Sequence, residues 1–416
     1  MPNDAAFGFP DAAFHLLPER ITMKHSSTFL LILAVVMMAS VQRTPLVALG
    51  PVVSHIQQDL QISGATTGLV AALPLLLFAI FSPFAAGFAR KFGMERVLIS
   101  AILLLIIGLI VRVAIPSVGF LFLGTAVISA AISMSNVLLP ALAKHNLPTR
   151  VGLVIYTMSI TVAISSALAS VIAVPLANWF NWRWSLGVWV LPAIAAFVIW
   201  LIWAKQATPA PLNPVQHASG SLNVWRVPAA WVISVLMGVQ SSLFYSVINF
   251  LPSVLIEKGM TPMQAGSYTS LFQAASLFGV LLVSLKFSGS SHKQIWTTSM
   301  AGLMLAGMTG LWLLPVSQAG VWISLVGAGS SAVFSIVMML FALRTESAHE
   351  AAALSGMAQT VGYLIAIMGP LGIGLLHDWF HSWQVSLSLL TALMFIETVL
   401  AWFASAPSTL QQTLKH

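Results

Sequence analysis

The sequence predicts an all-α integral membrane protein, with twelve transmembrane helices arranged as two six-helix, pseudo-symmetric halves. Three observations predict it. Of 416 residues, 58% are hydrophobic and 6% charged, where soluble domains carry about 25% charged residues. The apolar residues collect in runs of roughly 20, the length that crosses a bilayer. Finally, two short patterns recur in the same order. Met38-Ala-Ser-Val-Gln42 returns as Leu236-Met-Gly-Val-Gln240, and Leu176-Ala-Asn-Trp-Phe-Asn181 returns as Leu376-His-Asp-Trp-Phe-His381.

Residues 1–27 form a polar to mildly apolar tail with Pro2, Pro10 and Pro18, lacking the continuous apolar core of a signal peptide. Met23 is an alternative start, which N-terminal sequencing of the native protein decides. Spans follow at about 28–52, 65–88, 97–115, 118–142, 152–175 and 185–204, making an N-terminal half of 28–204. A loop over 205–227, rich in Pro, Gly, Ser and Asn, precedes spans at about 228–252, 264–287, 295–314, 320–343, 353–376 and 385–405. These make a second half of 228–405, with 406–416 as a tail. The repeat patterns fall in the first span of each half and between its fifth and sixth.

Charge placement orients the bundle. Of the 17 lysines and arginines, only Arg183 and Lys258 fall in loops on one side, and only Arg43, Arg112 and, at the very end of its span, Lys286 within spans. The rest lie in the tails and loops on the other side, which the positive-inside bias makes cytoplasmic, with both termini. A bacterial cytoplasmic (inner) membrane is the expected location, and the bilayer accounts for the 14 Trp as interfacial anchors. The net charge of +7 is explained by these loops, so no nucleic-acid partner is expected. Cysteine is absent, excluding disulfides and thiolate metal sites. No cofactor is expected, and the chain is read as a monomer.

Arg43 stands near the middle of the first span, two residues before Pro45. A guanidinium keeps its charge, and at the bilayer centre it costs about 2.5–3.5 kcal/mol on insertion scales and about 10–17 by simulation. Glu397, in the twelfth span, is the one acid well inside a span. Two readings stay open: an anchor for an anionic or polar ligand, or a structural arginine bonded to backbone carbonyls freed by Pro45. Arg112, three residues from the end of the third span, is read as snorkelling to the headgroups.

Parallel six-helix repeats are the layout of major facilitator transporters, whose substrate sites lie between the halves near the midplane. In that arrangement every third span lies outside the cavity, which makes Glu397 a poor partner for Arg43. Polar residues at helical spacing mark candidate cavity faces: Asn136 on span four, Tyr156 on span five, Gln240, Tyr245 and Asn249 on span seven, Gln359 and Tyr363 on span eleven. The serines beside them are read chiefly as glue between helices. His377, Asp378 and His381 resemble metal ligands, but Asn178 and Asn181 replace two of them in the repeat, so an anchored interfacial turn is the better reading and no metal is expected. The loop containing Gly87, Arg90, Lys91, Gly93 and Arg96 has the place and spacing of the facilitator loop motif. Arg90 stands where that motif has an acid, so an acid-centred gating contact is not expected.

The chain resembles the cyanate and 2-nitroimidazole transporter family of the major facilitator superfamily over 28–405. The resemblance rests on Arg43-Thr-Pro45 with Gly50-Pro51, Ala89 to Arg96, Asn136 to Lys144, Gln240 to Tyr245 and Leu354 to Tyr363. It implies a secondary transporter of a small anion or polar compound (cyanate-like, small carboxylate or azole) working by alternating access, with a small-molecule substrate and a coupling proton as an open second partner. Efflux of toxic heterocycles such as nitroimidazoles is the alternative. No enzyme is expected: the paired acids and span-end His/Asp motifs of membrane enzymes are missing, apart from the repeat turn. His55 is a weak candidate proton carrier.

Overall fold

A computed structural model describes residues 25–206, 222–287 and 290–413. The start at Met23, most of the tail 1–27, most of the central loop and Lys415 lie outside the described residues. Within them all regular structure is helical. Twelve long helices follow one another: α1 His25–Gln42, α2 Gly64–Phe92, α3 Met94–Ala114, α4 Val118–Asn146, α5 Val151–Trp179, α6 Val190–Gln206, α7 Pro228–Glu257, α8 Pro262–Lys286, α9 Lys293–Leu313, α10 Ala319–Leu343, α11 Ala348–Phe380 and α12 Trp383–Ala404. Short helices Thr44–Val47 and Val53–Leu60 prolong α1, and Trp182–Gly187 precedes α6. Eleven of these spans are apolar enough to cross a bilayer. The other, α9, opens on Lys293, Gln294, Thr297, Thr298 and Ser299, which dilutes its apolarity.

Polar residues start and stop these helices, because a helix end leaves donors and acceptors that lipid cannot satisfy. Ser63, Ser117 and Ser382 accept bonds from the first turns of α2, α4 and α12, and Thr261 and Ser347 form full capping boxes at α8 and α11. Between α2 and α3 the chain turns at Gly93, whose φ of 88° suits a residue without Cβ.

The main packing pairs of one half recur in the other. In the first, α1 packs on α5 and α6, α4 on α2 and α3; in the second, α7 packs on α11 and α12, α10 on α8 and α9. Polar ties repeat as well. Gln42 on α1 donates to Ser135 on α4 at 3.3 Å, and Gln240 on α7 donates to Ser330 on α10 at 2.6 and 3.0 Å. Likewise Ser82 bonds Ser133 between α2 and α4, and Ser276 donates to the Gly327 carbonyl between α8 and α10. Lipid supplies no hydrophobic drive between helices, so such bonds and the close approach of small residues hold each half together.

Between the halves, α2 packs along α11 and α5 against α8. The seam is tight towards the end of the bundle that carries most of the lysines and arginines, here called the basic end. A Cβ on Gly356 of α11 would lie 2.9 Å from the Ser82 carbonyl of α2. Lys144, at the basic end of α4, donates to the Ala342 carbonyl at 2.5 Å and to the carbonyl and hydroxyl of Thr345, just past α10. At the opposite end the side-chain ties stay within one half: Asp59 with Trp182, Arg183 with the carbonyls of Val113 and Ala114, Glu257 with the Trp383 amide. Burial falls in the same direction. Apart from Ala366 and Ile373, every buried residue of α11 precedes Leu364, and past Met158 α5 buries only Ala169, Ala173 and Ala177. The bundle is closed at the basic end and splayed at the other.

Candidate functional site

The site begins with a break in α1. Proline at 45 lacks the amide that would bond the Val41 carbonyl, so α1 ends at Gln42 and a new helical turn starts at Thr44. Arg43 sits in the gap with φ −114° and ψ −26°. The matching position in the repeat is Ser241, and there α7 runs unbroken. The break therefore belongs to one half only, and it re-aims one side chain.

That side chain points across to the second half. Its guanidinium carbon lies 5.6 Å from the ring centroid of Phe334 on α10, within cation–π range. Its polar neighbours are Tyr245 on α7 and Tyr363 on α11. The two phenols are also neighbours of each other. Beyond them Phe78 of α2 packs on Tyr363, ring centroids 5.0 Å apart. Arg43 is half-buried although it stands mid-span in a helix stretch running Thr28–Leu60. A cation that deep, still reached by solvent, is met among the described residues by rings and phenols and by no carboxylate.

The other sequence candidates divide into two groups. Asn136, Tyr156 and Tyr245 are half-buried, and Asn249, one turn beyond Tyr245 towards the splayed end, is exposed. Gln240, Gln359 and Tyr363 are buried at 1%, 0% and 2% exposure. Gln240 is committed to Ser330, and Gln359 donates to Ser355 at 3.0 Å. In this state the two glutamines line no accessible surface. Each keeps an unpartnered buried Oε1.

Arg112 corrects an expectation. It does not snorkel: it is 0% exposed and donates to the carbonyl of Pro45 at 2.6 Å and of Leu186 at 3.2 Å. The amides of Ala48 and Leu49 bond Thr44 and Leu46, so no backbone donor reaches the Pro45 oxygen and a guanidinium takes it. Arg112 is thus the structural arginine of this break, although the carbonyl it takes is that of Pro45 itself and not one freed by the missing proline amide. What admits it is Gly124 on α4, where any Cβ would strike the Arg112 backbone.

Arg90, Lys91 and Arg96 are exposed at the basic end and Gly87 faces open space; Lys91 rests over the Phe92 ring at 5.1 Å. The described polar link between halves at that end is Lys144 instead. His377 stacks on Trp383, His381 ends α11 in a left-handed turn, and Trp179 and Trp379 stand exposed at the end of each repeat. His55 bonds Asn178 at 2.9 Å, away from Arg43. Glu397 on α12 is 0% exposed, with both carboxyl oxygens unpartnered among the described residues. Sequence reasoning missed Phe334 and Lys144. Phe334 lies one turn from Ser330 on the same face of span ten, a pairing with Gln240 that no single span reveals. Lys144 read only as one more positive loop end.

Comparison with known proteins agrees with this architecture. The model of the Major Facilitator Superfamily matches residues 28–370. The 2-nitroimidazole transporter of Escherichia coli (strain K12) is 38% identical over 380 residues, covering 90% of this chain and 96% of that protein. The cyanate transport protein CynX of the same organism is 22% identical over 362 residues, covering 85% and 93%. Among solved structures, the proton:xylose symporter XylE bound to 6-bromo-6-deoxy-D-glucose superposes with a TM-score of 0.76 at 13% identity, covering 94% of this chain and 99% of that one. With its twelve helices in two repeated halves and its match to the family model over most of its length, this chain belongs to the Major Facilitator Superfamily of membrane transporters.

Proposed function

We propose that this secondary transporter carries a small planar anion or electron-rich azole across a bacterial cytoplasmic membrane by alternating access, with Arg43 as the anchor for its negative end. The observation that carries this reading is Arg43 itself: deep, solvent-reached, and neighboured by Phe334, Tyr245 and Tyr363 with no carboxylate. Such a site rewards a ligand that brings charge or lone pairs to the guanidinium fork and a flat face to the rings. Tyr245 contributes a hydroxyl, and Asn136, Tyr156 and Asn249 offer further polar groups along the accessible wall. Gln240, Gln359 and Tyr363 form a layer behind it. The basic end is cytoplasmic on this reading, so the bundle is open to the outside. The names of the relatives, a 2-nitroimidazole transporter and a cyanate transport protein, support a ligand of this size and polarity.

The test is a thermal-shift screen of small anions and azoles on purified protein, repeated on Arg43→Gln. Stabilisation of the parent by one class, lost in Arg43→Gln and poorly restored by Arg43→Lys, is the expected result, because an ammonium lacks the planar fork. Ligand-induced stabilisation that survives in Arg43→Gln would refute the anchor. A second reading, efflux of largely neutral nitroheterocycles, is favoured by the ring pair Phe78–Tyr363 beside the site. Under that reading, deletion and overexpression strains differ in nitroimidazole sensitivity.

A further inference from the structure

We propose that the unoccupied carrier, not the loaded one, does the electrical work of transport, so that this protein runs as an anion-for-anion exchanger. The inference rests on Arg43 being the anion anchor and adds the charge balance of the whole bundle. Among the described residues the acids other than Glu397 lie at the two ends: Glu95, Glu346 and Glu350 at the basic one, Asp59, Glu257 and Asp378 at the other. Glu397 is sealed within the second half, and the groups acting electrostatically on Arg43 are two neutral phenols. Arg112 is fully buried against its two carbonyls, and Lys144 already sits at the basic end. Arg43 is thus the charge whose water access changes sides when the halves rock.

The consequence follows from where the field falls. With a monoanion bound, Arg43 is neutralised and the loaded carrier crosses without electrical work. Empty, it carries one positive charge through the potential. Negative potential on the basic-end side then holds the empty carrier facing that side, and its return is the slow leg. One charge through the whole field is worth about 2.3 kcal/mol per 100 mV, roughly a 50-fold change in the ratio of the two states. Exchange, with both legs loaded, avoids that leg.

The charge movement is measurable without a ligand. The chain has no cysteine, so Asn249→Cys gives a single thiol at an exposed position towards the splayed end. In vesicles with that end facing the bath, its labelling by a membrane-impermeant maleimide is followed under potassium diffusion potentials set with valinomycin. Labelling is expected to fall as the lumen becomes negative, by up to roughly 50-fold per 100 mV. Added Arg43→Gln should abolish the dependence and added Arg43→Lys should keep it. Labelling indifferent to potential with Arg43 present, or equally dependent in Arg43→Gln, overturns the proposal. Failure of the anchor reading is read separately, in the thermal-shift screen.

Discussion

Two arginines in one membrane protein have opposite fates, and the difference lies in what each guanidinium meets. Arg112 spends its charge on the Pro45 and Leu186 carbonyls. Arg43 meets a π-face and two phenols, which stabilise a cation without neutralising it. Arg112→Leu should therefore destabilise the fold by about 1–3 kcal/mol for each orphaned carbonyl, seen as a lowered thermal midpoint in detergent. Arg43→Gln should leave that midpoint nearly unchanged, because no backbone group depends on it. Similar losses in both would remove the distinction. Phe334→Ala should weaken ligand binding by about 0.5–2 kcal/mol, the range of a cation–π contact, as read by calorimetry with whichever anion stabilises the protein.

Helix packing decides where those side chains stand. Within the first half, α3 and α4 cross at Gly108 and Gly124, where a Cβ would come within 2.8 Å of the Ile128 amide or strike the Arg112 backbone. The second half repeats the device, with Gly307 and Gly329 at the α9–α10 crossing. Gly124→Ala should separate α3 from α4 and cost about 1–3 kcal/mol, the usual penalty of overpacking. Gly119→Ala, on the same helix but facing open space, is the control; equal loss from the two would mean that helix propensity, not close approach, is responsible.

For the molecule as a whole, the closed basic end must open for transport. Lys144 ties α4 of one half to the end of α10 in the other. The loop it grips is braced by the C-terminal segment: Leu410 donates to the Arg344 carbonyl at 2.8 Å, Arg344 to the Ala406 carbonyl, and Gln411 to Glu350 at 2.5 Å. Burial lowers the Arg344 pKa from that of an ordinary guanidinium. Lys144→Met removes charge-assisted bonds worth about 2 kcal/mol, shifting the equilibrium roughly 30-fold towards the state open at the basic end. Spin labels on cysteines at the exposed Arg90 and Ser291 should then report a longer distance. An unchanged distribution would mean that the α2–α11 seam holds the end closed by itself.

The sequence by itself determined the twelve spans, the two halves and the exceptional status of Arg43, because hydropathy and the cost of intramembrane charge are local properties of the chain. The repeat even placed Gln42 and Gln240 as equivalents. Tertiary structure alone decided what each polar residue faces. Gln240 and Gln359 looked like cavity ligands, yet they turn to Ser330 and Ser355; Arg112 looked like a surface cation, yet it repairs a proline break on another helix. A span's periodicity says that a residue lies on a polar face, but not whether a neighbouring helix or water covers it. That is settled by the rotation of each helix and by contacts far apart in the chain, such as Arg43 with Phe334.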